Sequence, residues 1–197
     1  KEAPSKLVFH FGMTGSLHYT KTGSEKDKSA QLVFEFADGY ELRWLCLRKL
    51  GKVYLVEDIN QIKLLKQMGP EPSQLPKGDF FGLLEEHSRK GVKAFLLDQR
   101  DIAGIGNIYS DEILFRAKVN PRRKIKTLTD KQREKLFREM NHVLEKAAGF
   151  LAKGQFPKSW LLPSRRVSWK CPRNKGHELK REIIAGRSAI YCPICQK

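Results

Sequence analysis

Residues 171–197, CPRNKGHELKREIIAGRSAIYCPICQK, constrain the fold more than any other stretch of the chain. Cys192 and Cys195 form a C-x2-C pair, and the tight turn between them places two thiolates on one metal ion. Cys171 and His177 supply two further candidate ligands in the same short segment. The segment therefore predicts a C-terminal β-hairpin that holds one structural Zn2+.

Positive charge is the second constraint on the chain. From Arg165 to Lys197 there are nine Lys and Arg residues against two Glu, and the whole chain of 197 residues has a formal net charge of +16. Hydrophobic residues make up 40% of it, which is enough for a packed core and excludes a disordered basic tail. A basic chain with a metal-bound hairpin is suited to a polyanionic partner, and nucleic acid is the partner we expect.

Cysteine usage and hydropathy indicate the compartment. Three of the four cysteines have metal-ligand spacing, which favours zinc in a reducing compartment over disulfides. Cys46, far from the others in sequence, is expected to be a buried thiol. No apolar run approaches the roughly 20 residues of a membrane-spanning helix, and the N-terminus has no signal-peptide pattern. We expect no membrane partner, a cytoplasmic or nucleoid-associated location, and a monomer.

The first third of the chain predicts β-structure. Alternating apolar and polar residues predict strands over residues 7–11, 31–37, 40–45 and 52–56. Asp38-Gly39 separates the middle two strands and predicts a hairpin in which both turn positions have positive φ.

A Pro- and Gly-rich linker at residues 69–78 precedes a helical region. The hydrophobic period predicts helices over residues 80–90, 92–99, 107–117 and 129–153. Thr129 and Gln132 form a T-x-x-Q capping box at the start of the longest helix, whose apolar face runs from Leu136 to Leu151. Residues 156–168 are expected to be a Pro-containing connector to the hairpin.

A glycine-rich turn, IAGIGN at residues 102–107, is the first candidate for a nucleic-acid contact. Gly104 and Gly106 allow the backbone to approach a phosphate closely, and the N–H groups that open the helix at Asn107 face that anion. We exclude a dinucleotide-binding fingerprint, because no strand precedes the glycines and their spacing is not G-x-G-x-x-G. The alternative is a tight turn between two helices without a ligand.

Two further motifs lie in the β region, GMTGSL at residues 12–17 and LRKLGK at residues 47–52. Met13 would lie at the tip of a projecting loop, where an apolar side chain can insert into a base stack. Arg48 and Leu50 would point the same way in an extended segment and would combine a hydrogen-bonding group with an apolar wedge. The alternatives are that Met13 is an ordinary core residue and that the second motif is a solvated basic loop.

These motifs occur together in an order that resembles the formamidopyrimidine-DNA glycosylase and endonuclease VIII family over nearly the whole chain. The matching segments are HFGMTGSL (10–17), RKLGK (48–52), GPEP (69–72), LLDQRDIAGIGNIYSDEILF (96–115) and GRSAIYCPICQK (186–197). The resemblance implies an α+β fold. Its expected parts are a partial β-sandwich at residues 1–67, a linker and helix–two-turn–helix domain at 68–163, and a zinc-finger hairpin at 164–197.

The same resemblance implies DNA repair by a base-excision DNA glycosylase with AP-lyase activity. Its partner would be double-stranded DNA with an oxidised base or an abasic site, bound in a basic cleft with the damaged base flipped out. Met13, Arg48 and Leu50 match the three side chains that fill the gap left in the base stack. The residues that match phosphate contacts are His10, Lys93, Asn107 and Arg187.

The chain departs from the family pattern at three points. Leu50 stands where phenylalanine is usual, and Asn174 replaces the second cysteine of the first zinc pair, so that His177 is the expected fourth ligand. Family enzymes begin with Pro-Glu, whose proline amine attacks the sugar C1′, whereas this chain begins with the residues KEAP at 1–4. We therefore expect residues 1–197 to be the DNA-recognition part without the proline nucleophile, with no catalytic residue among them and no cleavage by them alone.

Two other functions remain open from the sequence. The first is a non-catalytic, zinc-dependent module that binds damaged DNA and retains only the phosphate and wedge residues. The second is a zinc-ribbon RNA-binding or ribosomal protein, which would explain the charge and the zinc but not Met13, Arg48 and the glycine-rich turn together. Steeply salt-dependent binding without a preference for lesions would favour the second, because phosphate contacts carry no base information.

Overall fold

The computed structural model describes residues 5–25, 27–152 and 154–197, and only the backbone of residues 166 and 167. The N-terminal KEAP sequence lies outside the described residues. The chain forms two compact units, of which one ends at Lys66 and the other begins at Gln67. Among the described residues, no helix is both long enough and apolar enough to cross a membrane.

The first unit contains two antiparallel sheets. Its strands are β1 (Lys6–His10), β2 (Gly15–Lys21), β3 (Ala30–Glu35), β4 (Tyr40–Cys46) and β5 (Lys52–Val56). β1 pairs with β5, and β4 lies between β2 and β3. The ring of Phe9 in β1 lies 6.1 Å from Phe34 and 6.4 Å from Trp44, which packs the two sheets together. The four predicted strands are therefore confirmed to within a few residues at their ends.

Strand β2 and the β3–β4 turn differ from the sequence-based expectation. The sequence did not predict β2, because its first residues belong to the glycine-rich motif that was expected to form a loop. At the β3–β4 turn, positive φ at both positions is wrong, since Gly39 adopts φ +82° and Asp38 does not. The N–H of Gly39 donates to the carbonyl of Phe36 at 3.3 Å. This is the three-residue loop that ends in a left-handed glycine.

The second unit combines helices with two β-hairpins. A short helix α1 (Lys63–Lys66) ends the first unit. The helices that follow are α2 (Lys77–Glu86), α3 (Val92–Leu97), α4 (Asn107–Ala117), α5 (Asp130–Ala152) and α6 (Leu161–Val167). The hairpin strands are β6 (Lys170–Cys171), β7 (Asn174–Glu178), β8 (Lys180–Ile184) and β9 (Arg187–Tyr191). β6 pairs with β7 and β8 with β9.

Helix α5 confirms the predicted capping box. The N–H of Gln132 donates to Oγ1 of Thr129 at 3.3 Å, and the N–H of Thr129 donates to Oε1 of Gln132 at 3.1 Å. The apolar face packs on α2 and α4 through Leu136 and Met140, which are fully buried. Leu151 does not belong to this face, since its exposed fraction is 59%. The predicted end of the helix at Lys153 lies outside the described residues.

Helix α6 was not predicted, because Pro163 suggested an irregular connector. Pro163 is the third residue of this helix, where a missing N–H costs no intrahelical hydrogen bond. Leu161 packs against Phe115 of α4 in a small cluster that also contains two of the candidate metal ligands, Cys171 and Cys192. The hairpins are thus attached to the helices through apolar contacts.

Candidate nucleic-acid interface and metal centre

Met13 and Arg48 lie together on the surface of the first unit. The Met13 side chain has an exposed fraction of 68%, so it is not an ordinary core residue. Nη1 of Arg48 lies 3.4 Å from Sδ of Met13, and the backbone N–H of Arg48 donates to Oγ1 of Thr14 at 3.3 Å. Two loops that are 35 residues apart in sequence therefore present an apolar side chain and a guanidinium group side by side.

Leu50 belongs to the same cluster, but not for the reason that the sequence suggested. The segment is a turn rather than a strand: the N–H of Lys49 donates to the carbonyl of Cys46 at 3.0 Å, and Lys49 adopts φ +53°. The expectation of an extended segment is therefore wrong. Leu50 is nevertheless half exposed, and a Cβ on Gly12 would lie 2.9 Å from its backbone carbon. The two loops thus abut at Gly12.

His10, Cys46 and Gly51 lie next to the loops that carry this cluster. His10 is the exposed last residue of β1 and is paired with Lys52 of β5. Cys46 is fully buried, as predicted, and its Sγ accepts the N–H of Gly51 at 3.3 Å. A Cβ on Gly51 would lie 2.6 Å from Trp44. The turn that carries Arg48 and Leu50 is therefore packed tightly on its inner side.

The glycine-rich turn of the second unit is held by Gln99. Oε1 of Gln99 accepts the N–H of Gly104 at 2.9 Å, and its Nε2 donates to the carbonyl of Ile105 at 3.0 Å. Gly104 adopts φ +81°, a backbone conformation that is unfavourable for residues with a side chain. The turn ends at Gly106, and α4 begins at Asn107, as the sequence predicted.

Asn107 contacts the C-terminal hairpin directly. Its Nδ2 donates to the carbonyl of Ser188 in β9 at 2.9 Å, whereas its Oδ1 has no hydrogen-bond partner among the described residues. Arg187, the residue before Ser188, is exposed at the start of β9. The β8–β9 turn beside it consists of Ala185 (φ +53°) and Gly186 (φ +70°). Asn107 and Arg187 are therefore brought to one region of the second unit.

Lys93 lies beneath this region rather than on the surface, and its expected role requires a correction. The sequence-based expectation made it a phosphate contact, but its exposed fraction is 0%. Its Nζ forms an ion pair with Asp111 and donates to Oγ of Ser110 at 3.3 Å. Burial lowers the pKa of Lys93, an effect that the neighbouring carboxylate opposes. In this arrangement, Lys93 is a buried counter-ion and does not reach the surface.

Asp111 links four elements of the second unit. Lys93 of α3 pairs with its Oδ1, while its Oδ2 accepts the N–H of Ile190 in β9 at 3.1 Å. Nη1 of Arg165 in α6 lies 3.4 Å from the same Oδ2. The sequence patterns did not single out Asp111 or Arg165. The available signal was a run of polar residues, SDE at 110–112, inside an otherwise apolar helix whose polar side chains needed partners.

The four predicted metal ligands converge at the hairpins. The sulfurs of the three cysteines and a ring nitrogen of His177 all lie within 4.8 Å of one another. Cys171 and Cys195 have their Sγ atoms 3.8 Å apart. Nδ1 of His177 lies 3.4 Å from Sγ of Cys195 and 3.8 Å from Sγ of Cys192. The group fits one metal ion with three sulfur ligands and one nitrogen ligand.

Two family models match the chain. The formamidopyrimidine-DNA glycosylase N-terminal domain matches residues 2–53, and the formamidopyrimidine-DNA glycosylase H2TH domain matches residues 68–155. A formamidopyrimidine-DNA glycosylase of Desulfitobacterium hafniense is 36% identical over 209 residues, which are 96% of this chain and 74% of the relative. That of Thermus thermophilus is 35% identical over 213 residues, 99% of this chain and 76% of the relative. The chain thus spans about three quarters of each relative.

Solved structures give the same result. The formamidopyrimidine-DNA glycosylase of Lactococcus lactis, bound non-covalently to DNA with an abasic site, superposes with a TM-score of 0.83 at 27% identity. This match covers 100% of the present chain and 76% of the other. A MutM structure in complex with DNA containing carbocyclic 8-oxo-G has a TM-score of 0.82 at 27% identity, covering 99% and 75% of the two chains.

Proposed function

The chain belongs to the formamidopyrimidine-DNA glycosylase family, and on that premise we propose that it recognises damaged double-stranded DNA for base-excision repair. The reaction would be that of a DNA glycosylase acting on oxidised bases. Relatives with the same fold are bound to DNA with an abasic site or an 8-oxo-G analogue. We propose the same classes of DNA as partners of this chain.

The observation that carries the proposal is the contact between Met13 and Arg48. An enzyme that flips a base out must fill the resulting gap, because an empty gap leaves the neighbouring bases unstacked. Exposed Met13 and Leu50 supply apolar wedges, and the Arg48 guanidinium supplies donors for the unpaired opposite base. An exposed methionine beside an exposed arginine has no evident stabilising role in the chain alone, which supports a role in binding.

Phosphate contacts are proposed for His10, Asn107 and Arg187. Asn107 opens α4, where backbone N–H groups and the helix dipole favour an anion. Arg187 adds a positive charge close to Asn107 along β9. Lys93 is not included, because its ammonium group is buried against Asp111.

We propose zinc as the metal of the cysteine and histidine group. A tetrahedral zinc ion, with Zn–S near 2.3 Å and Zn–N near 2.0 Å, separates two sulfurs by about 3.8 Å and a sulfur from a nitrogen by about 3.5 Å. Sγ of Cys195 lies 3.8 Å from Sγ of Cys171 and 3.4 Å from Nδ1 of His177, which agrees with these ligand–ligand distances. Such an ion would serve structure, since all four positions are taken by protein ligands and none is left for water.

The first experiment measures affinity for three labelled duplexes that differ only at one position: undamaged, oxidised guanine and abasic analogue. We expect tighter binding to the two damaged duplexes, and we expect Met13→Ala and Arg48→Ala to reduce this preference. Leu151→Ala is the matched control, because Leu151 is comparably exposed on α5. Equal affinity for all three duplexes would contradict the proposal and favour a general nucleic-acid-binding protein.

Borohydride trapping on the abasic duplex separates recognition from chemistry. A covalent adduct would show that a reacting amine lies within residues 1–197. Absence of an adduct together with a retained preference for the abasic duplex would assign these residues to recognition. Mapping the modified residue in any adduct would identify the nucleophile directly.

A further inference from the structure

Two side-chain hydrogen bonds attach β9 to α4 at matched spacing. Asn107 donates to the carbonyl of Ser188 at 2.9 Å, and one helical turn later Asp111 accepts the N–H of Ile190 at 3.1 Å. Positions four apart lie on one face of a helix and about 6 Å apart along it. Alternate residues of a strand are about 6.6 Å apart. The two bonds therefore set the register of β9 against α4.

The Asp111 carboxylate is oriented by its cationic neighbours. Lys93 occupies Oδ1, which leaves Oδ2 for Ile190 and for Arg165. Asp111 and Lys93 are both almost completely buried, and a buried unpaired charge is costly. The carboxylate therefore cannot turn away from Lys93 without leaving that charge unpaired.

We propose that Asp111 is a positioning residue that holds Arg187 beside Asn107 for phosphate binding, and that Lys93 acts through Asp111 rather than on the phosphate. The inference rests on the proposed DNA-binding function. Arg187 immediately precedes Ser188, so a shift of β9 along α4 would move Arg187 away from Asn107. The candidate metal ligands all lie within residues 171–195 and therefore link the two hairpins to each other rather than to α4.

Asp111→Asn provides the first test. Lys93 and Ile190 use different oxygens of the carboxylate, and in an amide one of these two positions becomes an NH2 group, which is a donor facing another donor. We expect the oxygen to face the buried ammonium group, and the Ile190 N–H to lose its acceptor. The expected results are faster hydrogen exchange of the Ile190 amide, about tenfold weaker binding of the abasic duplex, and a salt dependence reduced by about one phosphate contact. Bound metal should be unchanged, and Asp79→Asn on the surface of α2 is the matched control.

Two double variants distinguish a positioning role of Asp111 from direct phosphate binding by Lys93 and from a purely structural role of the ion pair. In Lys93→Met/Asp111→Asn, the amide oxygen is free to face Ile190, so affinity and amide protection should recover. If Lys93 contacted phosphate itself, this variant would instead bind more weakly than Asp111→Asn. In an Arg187→Ala background, Asp111→Asn should weaken binding by less than twofold, because the contact that it positions is already absent.

The inference would be overturned if Ile190 kept its protection in Asp111→Asn, or if the loss of affinity were the same with and without Arg187. Should Asp111→Asn fail to fold, the Lys93→Met/Asp111→Asn variant still tests the register through the Ile190 amide and the salt dependence. If the unmodified chain shows no preference for damaged DNA, the proposed function fails. The Ile190 exchange then still reports whether Asp111 sets the register of β9.

Discussion

Oε2 of Glu112 in α4 accepts the backbone N–H of Leu161 at 2.7 Å and so caps the first turn of α6. Glu112 is almost completely buried, and its Oε1 has no hydrogen-bond partner among the described residues. Burial therefore raises the pKa of Glu112 to about 7, although the Leu161 N–H and the guanidinium of Arg116 oppose the shift. A buried carboxyl with a pKa in this range links the stability of the helical unit to pH.

We predict that Glu112 makes the chain less stable as pH rises from 6 to 8. The folded-state pKa lies above the unfolded-state value, so the folded state holds the proton more tightly and loses this advantage as pH rises through 7. The difference over this range is about 1 kcal/mol in the free energy of unfolding. Urea unfolding at several pH values measures it, and Glu112→Gln should remove that part of the slope. Glu134→Gln, on the exposed face of α5, should leave the slope unchanged.

His177→Ala tests the metal centre. Because His177 is one of only four ligands in the group, its loss should weaken zinc binding strongly and loosen both hairpins, which have little core of their own. Chelator competition measures the zinc affinity, and DNA affinity should fall in parallel through Arg187. His18→Ala, in strand β2, is the control. One tightly bound zinc ion with unchanged DNA affinity in His177→Ala would show that the fourth ligand is another group.

Gly12→Ala should disturb the cluster formed by Met13, Arg48 and Leu50. The new Cβ would lie 2.9 Å from the backbone carbon of Leu50, at a residue with φ +61°, so we expect a loss of about 2–4 kcal/mol in stability. Gly23→Ala is the matched control: Gly23 has φ +83° but no atom within 4 Å of the added Cβ. Only Gly12→Ala should also reduce the preference for the abasic duplex. Equal effects of the two substitutions would contradict the tight approach of the two loops.

Ala185→Asn should stabilise the β8–β9 hairpin. Ala185 and Gly186 both have positive φ between the paired residues Ile184 and Arg187, which is the turn that favours Asn-Gly. Asparagine tolerates the left-handed region better than alanine, so the gain should be about 0.5–1 kcal/mol. Thermal unfolding with zinc present measures the gain. Ala185→Val is the converse variant and should lower the melting temperature.

Local patterns determined much of the fold. Patterns among residues close in sequence correctly predicted the capping box at Thr129, the start of α4 at Asn107 and the strands β1, β3, β4 and β5, whereas β2 was missed. The metal ligands are a special case. The four side chains come from a single segment of 25 residues, so their spacing identified the group even with one unusual position.

Partners that come from distant segments were decided by the tertiary structure alone. From its sequence context, Lys93 looks like an exposed cation, but in the structure it pairs with Asp111 in α4. Similarly, helix α6 begins where the carboxylate of Glu112 in α4 accepts the N–H of Leu161. The turn that carries Arg48 and Leu50 likewise depends on packing against Gly12. The physical reason is that a buried charge or an unpaired N–H must find a partner, and the sequence shows the need for one without showing which residue meets it.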